Sequence, residues 1–176
     1  PLNIPFAIGE SGLQPVALPA GALPNMLVMG RQLCGKTTTL AAIGQAITQR
    51  FTPEQAQITV IDPKTTLIGK IRGPHVRAYA YTADDIDAVI AELTAELRDR
   101  LPPSGLTQEE LLNLKAWDGP RQFVLIDDEH ELRPHNQVVK PAATAPLLPL
   151  IERSRQIGLH VIAARLPGNW AGQVVM

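Results

Sequence analysis

Gly30-Arg31-Gln32-Leu33-Cys34-Gly35-Lys36-Thr37 fits the pattern G-x-x-x-x-G-K-[ST], the phosphate-cradling P-loop. Glycine lets the backbone turn tightly and aim successive N–H groups at phosphate oxygens. In such a loop Lys36 reaches the β- and γ-phosphates as a point charge, and the Thr37 hydroxyl is placed for Mg²⁺. The surroundings agree. Met26-Leu27-Val28-Met29 is a short apolar run suited to a buried strand, and after Lys36 the residues Leu40, Ile43 and Ile47 recur at helical spacing. A bound phosphate would then sit at a helix N-terminus, where free N–H groups and the helix dipole favour anions. Gly30 through Thr38 are the expected nucleotide-contacting residues. The competing reading is a glycine-rich strand–helix turn that binds nothing.

The chain has 176 residues, enough for one domain, residues 1–176, with 1–24 as an extended leading segment within it. Hydrophobic content of 45% supplies a core, and a formal net charge of −1 offers no basic excess for a nucleic-acid footprint. The single cysteine, Cys34, excludes an internal disulfide and a cysteine-rich zinc site. No apolar run approaches the length of a membrane span, and no signal peptide is visible, so a soluble, cytosolic segment is expected. Both ends read as cut, at Pro1 and at Val174-Val175-Met176, and a membrane anchor could lie outside them.

Before the P-loop strand, the prolines and short apolar runs of 1–24 suggest extended chain or an edge hairpin. Gln57 to Asp62 reads as a second strand, stopped by Asp62-Pro63-Lys64. Asp62 either faces a ligand at the carboxyl end of a parallel strand or caps the turn. Ala78–Tyr81 is a weaker strand. Ala83 to Arg100 is a helix, capped by Thr82, with Ile86, Val89, Ile90, Leu93 and Leu97 as its core stripe. Pro102-Pro103-Ser104-Gly105 breaks the chain, Thr107 and Glu110 form a capping box for a short helix, and Trp117-Asp118-Gly119-Pro120 makes a turn. Phe123 to Asp128 is a strand ending in acids. A polar loop, expected to be mobile, spans Arg133 to Pro141, and Thr144 to Ile157 can be helical, with Pro149 disturbing it. Leu159 to Ala164 is a last strand. Strands alternating with helices imply an α/β fold with a mostly parallel sheet and helices on both faces.

Four apolar residues followed by Asp127-Asp128, downstream of a P-loop, occupy the place where a buried strand delivers a carboxylate to the Mg²⁺ shell. Asp127 would hold Mg²⁺ with Thr37, directly or through water. Asp128 would orient or activate the attacking water. Glu129, on a continuing strand, would point to the opposite face. Arg153, Arg155 and Arg165 are candidate fingers or sensors, or plain solvated arginines. Cys34 either fits the loop by size or has its thiol activated by the helix N-terminus. The four histidines share no ligand spacing, and His160 reads as a core histidine.

On these residues the chain resembles the FtsK/SpoIIIE family of ring-forming P-loop ATPases. Within it, the likeness is to the C-terminal ATPase modules of the EccC type, which serve type VII (ESX) secretion. The resemblance rests on Ile4-Pro5-Phe6-Ala7-Ile8-Gly9-Glu10, Cys34-Gly35-Lys36-Thr37-Thr38, Thr52-Pro53-Glu54-Gln55, Asp62-Pro63-Lys64, Leu101-Pro102-Pro103, Trp117-Asp118-Gly119-Pro120 and Arg155-Gln156-Ile157-Gly158-Leu159-His160-Val161. It implies a RecA-like fold with ATP and Mg²⁺ as cofactors. It also implies neighbouring ATPase modules of the same or a partner chain, and small helical secreted proteins as substrates of a membrane secretion complex. The expected location is the cytoplasmic face of the cell membrane.

Two departures bear on activity. The acid after Asp127 is Asp128 where most hydrolysing members of this branch have Glu, one methylene longer. The last strand exits through Ala163-Ala164-Arg165-Leu166 instead of a Thr-Gln sensor. Both favour tight ATP binding with slow hydrolysis, with Lys36, Asp128 and Arg165 as the catalytic set. A DNA-translocating FtsK-type motor is the alternative, disfavoured by the net charge. A further reading is a non-hydrolysing module that keeps ATP as a structural ligand.

Overall fold

The structure, a computed structural model, describes residues 2–115, 117–132 and 142–167, with Leu111 by its backbone alone. The polar loop read at Arg133–Pro141 lies wholly outside the described residues.

Strand β6 (Arg121–Ile126) sits at the centre of the sheet. Its side chains alternate: Phe123 and Leu125 enter one core, Val124 and Ile126 the other, as a period of two requires. Both faces are covered, so the strand reads as one apolar run. Around it stand β7 (Leu159–Arg165) and β3 (Met26–Met29) on one side, and β4 (Ala56–Ile61) and β5 (Val76–Ala80) on the other. The order is β3-β7-β6-β4-β5, and every neighbouring pair is parallel.

Helix α1 (Lys36–Arg50) covers the first face with Leu40, Ile43 and Ile47. The leading segment is a hairpin, β1 (Ile4–Ile8) with β2 (Pro15–Leu18). It is not an edge of the main sheet. It forms a two-stranded sheet of its own and adds Ile4 and Leu18 to the same core. Close approach fixes Gly44 within α1: a Cβ there would meet Ile71 Cδ1 at 2.5 Å and Leu125 Cδ1 at 3.1 Å. Gly44→Val is therefore expected to overpack this contact and lower stability by about 1–3 kcal/mol. Urea unfolding measures it, and an unchanged midpoint would contradict the packing.

The opposite face is covered by α2 (Ala83–Asp99) through Ile86, Ile90, Leu93 and Leu97. Thr82 caps it as expected, its Oγ1 accepting from Asp85 N at 3.2 Å. Arg100 does more than close the helix. Its guanidinium donates to the carbonyls of Pro120 and Ile157, pairs with Glu96 and lies 4.2 Å over the Trp117 ring. The capping box of the short helix α3 (Gln108–Leu112) is present, with Thr107 N donating to Glu110 Oε2 at 2.7 Å.

The helix read at Thr144–Ile157 is broken into a 3₁₀ turn (Ala145–Leu147), α4 (Leu148–Ile151) and α5 (Ser154–Ile157). Pro146 and Pro149 remove two donors that a continuous helix needs. Among the described residues no helix is long and apolar enough to cross a membrane.

Candidate nucleotide site

Gly30 to Thr38, Asp62, Asp127, Asp128 and Arg165 meet at the carboxyl ends of β3, β4, β6 and β7. Gly30 leaves β3 with its N–H on the carbonyl of Arg165, the last residue of β7. The loop then turns through Leu33 (φ 61°) and Gly35 (φ 92°). A Cβ at Gly30 would lie 2.2 Å from Cys34 Sγ, so a side chain there would require the Cys34 thiol to move aside. Gly35 caps α1 without any side-chain hydrogen bond, and no acid lies in the first turn. The helix thus presents its first N–H groups and positive dipole end with no acidic residue of its own in the first turn. Arg31, Gln32, Leu33, Cys34, Gly35 and Thr38 are exposed along this rim, whereas Lys36 is buried, with Nζ donating to Arg31 O at 3.0 Å.

Asp127 lies beneath the loop, 1% exposed. Its N–H continues the ladder onto Ile61 O, and its carboxylate collects three donors. Oδ2 accepts from Thr37 Oγ1 at 2.6 Å and from Thr66 Oγ1 at 2.8 Å, and Oδ1 from Asp128 N at 3.0 Å. The threonine and the acid expected to share Mg²⁺ are therefore already in direct contact.

Asp62 both caps its turn and borders the site. Fully buried, it accepts from Leu67 N at 2.6 Å and from the Tyr79 hydroxyl. Burial, and then the bond to Asp62, holds the Tyr79 phenol well above its usual range, so it remains a donor.

Strand β6 stops at Ile126, two residues earlier than read, and Asp128 turns into the left-handed region (φ 48°). Its carboxylate meets Lys64 Nζ at 3.1 Å, and Lys64 also reaches Glu131 at 2.9 Å. These acids, Glu131 first, raise the Lys64 pKa. Glu129 does not continue a strand to the other face. It begins a 3₁₀ turn (Glu129–Leu132) and lies 3.5 Å from Arg165 Nη1. Arg165 ends β7 opposite Met29, beside the root of the loop. Arg153 and Arg155 lie at the amino end of β7, where Arg155 donates to Ala22 O, so within this chain they do not serve the loop. Cys34 is an exposed free thiol. The sequence marks neither Thr66 nor Tyr79 as a site residue, Tyr79 being read only as part of a strand. The one signal for Thr66 is a hydroxyl residue just beyond an Asp-Pro-Lys turn, and Tyr79 carried none.

Strand order, loop and buried acid define a P-loop nucleotide-binding fold of the α/β class. The chain belongs to the FtsK/SpoIIIE family, which it matches over residues 4–167, and nucleotide binding, typically with Mg²⁺, is common to that class of P-loop ATPases. It is 36% identical to the ESX-5 secretion system protein EccC5 of Mycobacterium marinum, an alignment that covers 96% of this chain and 13% of that protein. Among solved structures it is similar to the cytoplasmic domain of the Thermomonospora curvata type VII secretion ATPase EccC, at TM-score 0.80 and 32% identity over 93% of this chain and 18% of that one. A second structure, T. curvata EccC (ATPases 2 and 3) in complex with a signal sequence peptide, matches with the same score and identity, over 93% of this chain and 29% of that one. The chain thus spans less than a third of each of these three chains.

Proposed function

We propose that this chain is a single FtsK-like ATP-binding module of a type VII (ESX) secretion ATPase. It works beside neighbouring modules at the cytoplasmic face of the cell membrane, in a membrane secretion complex that recognises and exports small helical proteins. The observation that carries this reading is the 2.6 Å contact between Thr37 and buried Asp127 under an α1 whose N-terminus has no side-chain cap. The likeness to an ATPase solved with a signal sequence peptide supports the substrate class. The DNA-translocating reading is disfavoured by those relatives and by the net charge of −1.

The residues fit Mg-ATP. Gly30 to Thr38 would wrap the phosphates with backbone N–H groups, and Lys36 would exchange Arg31 O for phosphate oxygen. Thr37 and Asp127 would hold the metal, which supplies charge neutralisation at the phosphates. Hydrolysis is slow in this reading because Asp128 is short, turned aside and held by Lys64, while Arg165 faces Glu129. A group positioned about 1 Å from its productive place can cost a hundredfold.

Two measurements on the protein and on Lys36→Ala test the proposal. Mg-ATP at about a hundred times its Kd should stabilise the unaltered protein by about 2.7 kcal/mol, seen as a raised melting temperature. Lys36→Ala should show no rise. Steady-state phosphate release should be near that of Lys36→Ala. An unchanged melting temperature would defeat the nucleotide reading, and robust Lys36-dependent turnover would defeat the slow-hydrolysis part alone.

A further inference from the structure

We infer that Thr66 is a positioning residue for Asp127, locking the carboxylate in the rotation that faces the Thr37 hydroxyl and the metal. The inference rests on the Mg-ATP reading above and adds a residue that the P-loop and acid patterns do not contain. Thr66 Oγ1 lies 2.8 Å from Asp127 Oδ2 and 3.2 Å from Asp62 Oδ1. A hydroxyl carries one proton, and the shorter contact takes it. The placement of Asp62 does not rest on that proton, because Leu67 N and the Tyr79 hydroxyl hold the carboxylate by its other oxygen. Asp127 Oδ2 therefore receives two hydroxyl donors and Oδ1 one backbone donor, Asp128 N. Three donors from three segments fix the carboxylate plane.

The turn that delivers Thr66 is built for this placement. Thr65 adopts φ 55°, a conformation that β-branched residues rarely take. It is held there by Thr65 N on Asp62 O at 3.0 Å, and by Leu67 N on the Asp62 carboxylate at 2.6 Å. These two bonds bracket Thr66 and leave its hydroxyl pointing across from β4 to the end of β6. Backbone strain of this kind persists only where surrounding bonds over-determine it. Groups that orient a metal ligand influence metal affinity by about 10–100-fold. Thr66 itself is exposed, so its hydroxyl can be removed without opening the core.

The test compares the affinity of the purified protein for ATP in excess Mg²⁺ and in EDTA, by isothermal calorimetry, for the unaltered chain, Thr66→Val and Thr66→Ser. Thr66→Val keeps the shape and loses the donor, and Thr66→Ser keeps the donor. The expected result is equal affinity in EDTA for all three. The gain from Mg²⁺ should fall about tenfold in Thr66→Val and return in Thr66→Ser. A full Mg²⁺ gain in Thr66→Val overturns the inference. So does a loss that is equal with and without Mg²⁺, which would mark a merely structural turn residue, or a Thr66→Ser that behaves like Thr66→Val. If the unaltered protein itself gains nothing from Mg²⁺, the Mg-ATP reading fails, and this inference with it.

Discussion

Replacing Phe123 with alanine is expected to lower the unfolding free energy by about 3–5 kcal/mol, the cost of an aromatic cavity in a core that collapses only in part. Phe123 is fully buried in the central strand. It packs at 6.3 Å from the Phe51 ring on one side and stacks on His160 at 4.6 Å and 15° on the other. Truncation removes both ring contacts and leaves a void that the flanking strands cannot fill, because each is tied into a ladder. Domains of this size hold about 5–15 kcal/mol in total, so the variant should unfold at much lower urea. Phe123→Leu, which retains most of the volume, should lose far less. Equal losses for the two would mean that the ring contacts, and not the cavity, set the cost. Phe123 lies four residues before Asp127 along β6, with its side chain in the core, so nucleotide affinity of the folded fraction should stay intact.

What the sequence made legible follows from how local the physics is. The phosphate loop is a contiguous pattern whose glycines and lysine act through their own backbone, and the structure forms it where the pattern lies. The apolar runs of β4, β6 and β7 needed no partner to be recognised, because burial on both faces makes the whole run apolar. The broken segment from Ala145 to Ile157 was half legible: Pro149 signalled a disturbance, but how α4 and α5 divide depends on the α2 surface they cover. The lower half of the site was less accessible. Tyr79 reaches Asp62 only because β5 is parallel to β4 in one register. Thr66 reaches Asp127 only because Thr65 adopts a left-handed conformation. The same holds for Asp128 and Glu129, which a continued strand would have sent to opposite faces. The left-handed conformation of Asp128, two residues past the end of β6, sends Asp128 to Lys64 and Glu129 to Arg165. Such contacts join residues far apart in the chain, and no local periodicity encodes them.

Mild acid should weaken the fold through His160. This residue is 2% exposed at the start of β7, opposite Phe123 in the register. Its Nδ1 lies 3.2 Å from Pro24 O, to which it donates, since a carbonyl can only accept. Nε2 is buried among groups that offer it no hydrogen bond. Burial, opposed by the Pro24 bond and aided by the nearby Arg121 charge, pushes the imidazole from its ordinary 6.5 to about 4. Between those two values the unfolded chain takes up a proton that the native protein refuses. The unfolded state then binds more protons, so stability rises with pH across this window and is lost as pH falls from about 6.5 towards about 4. The shift corresponds to about 3 kcal/mol when the whole window is crossed. Urea unfolding at several pH values should show this slope in the unaltered protein. His160→Phe keeps the stack on Phe123 but cannot titrate. It should be less stable near neutrality, by about 1 kcal/mol for the lost hydrogen bond, yet should lack this part of the acid slope, so that the two stability curves cross on acidification. Parallel curves would show that His160 is protonated freely in the folded state, and that the burial of β7 against Pro24 is looser than its geometry indicates.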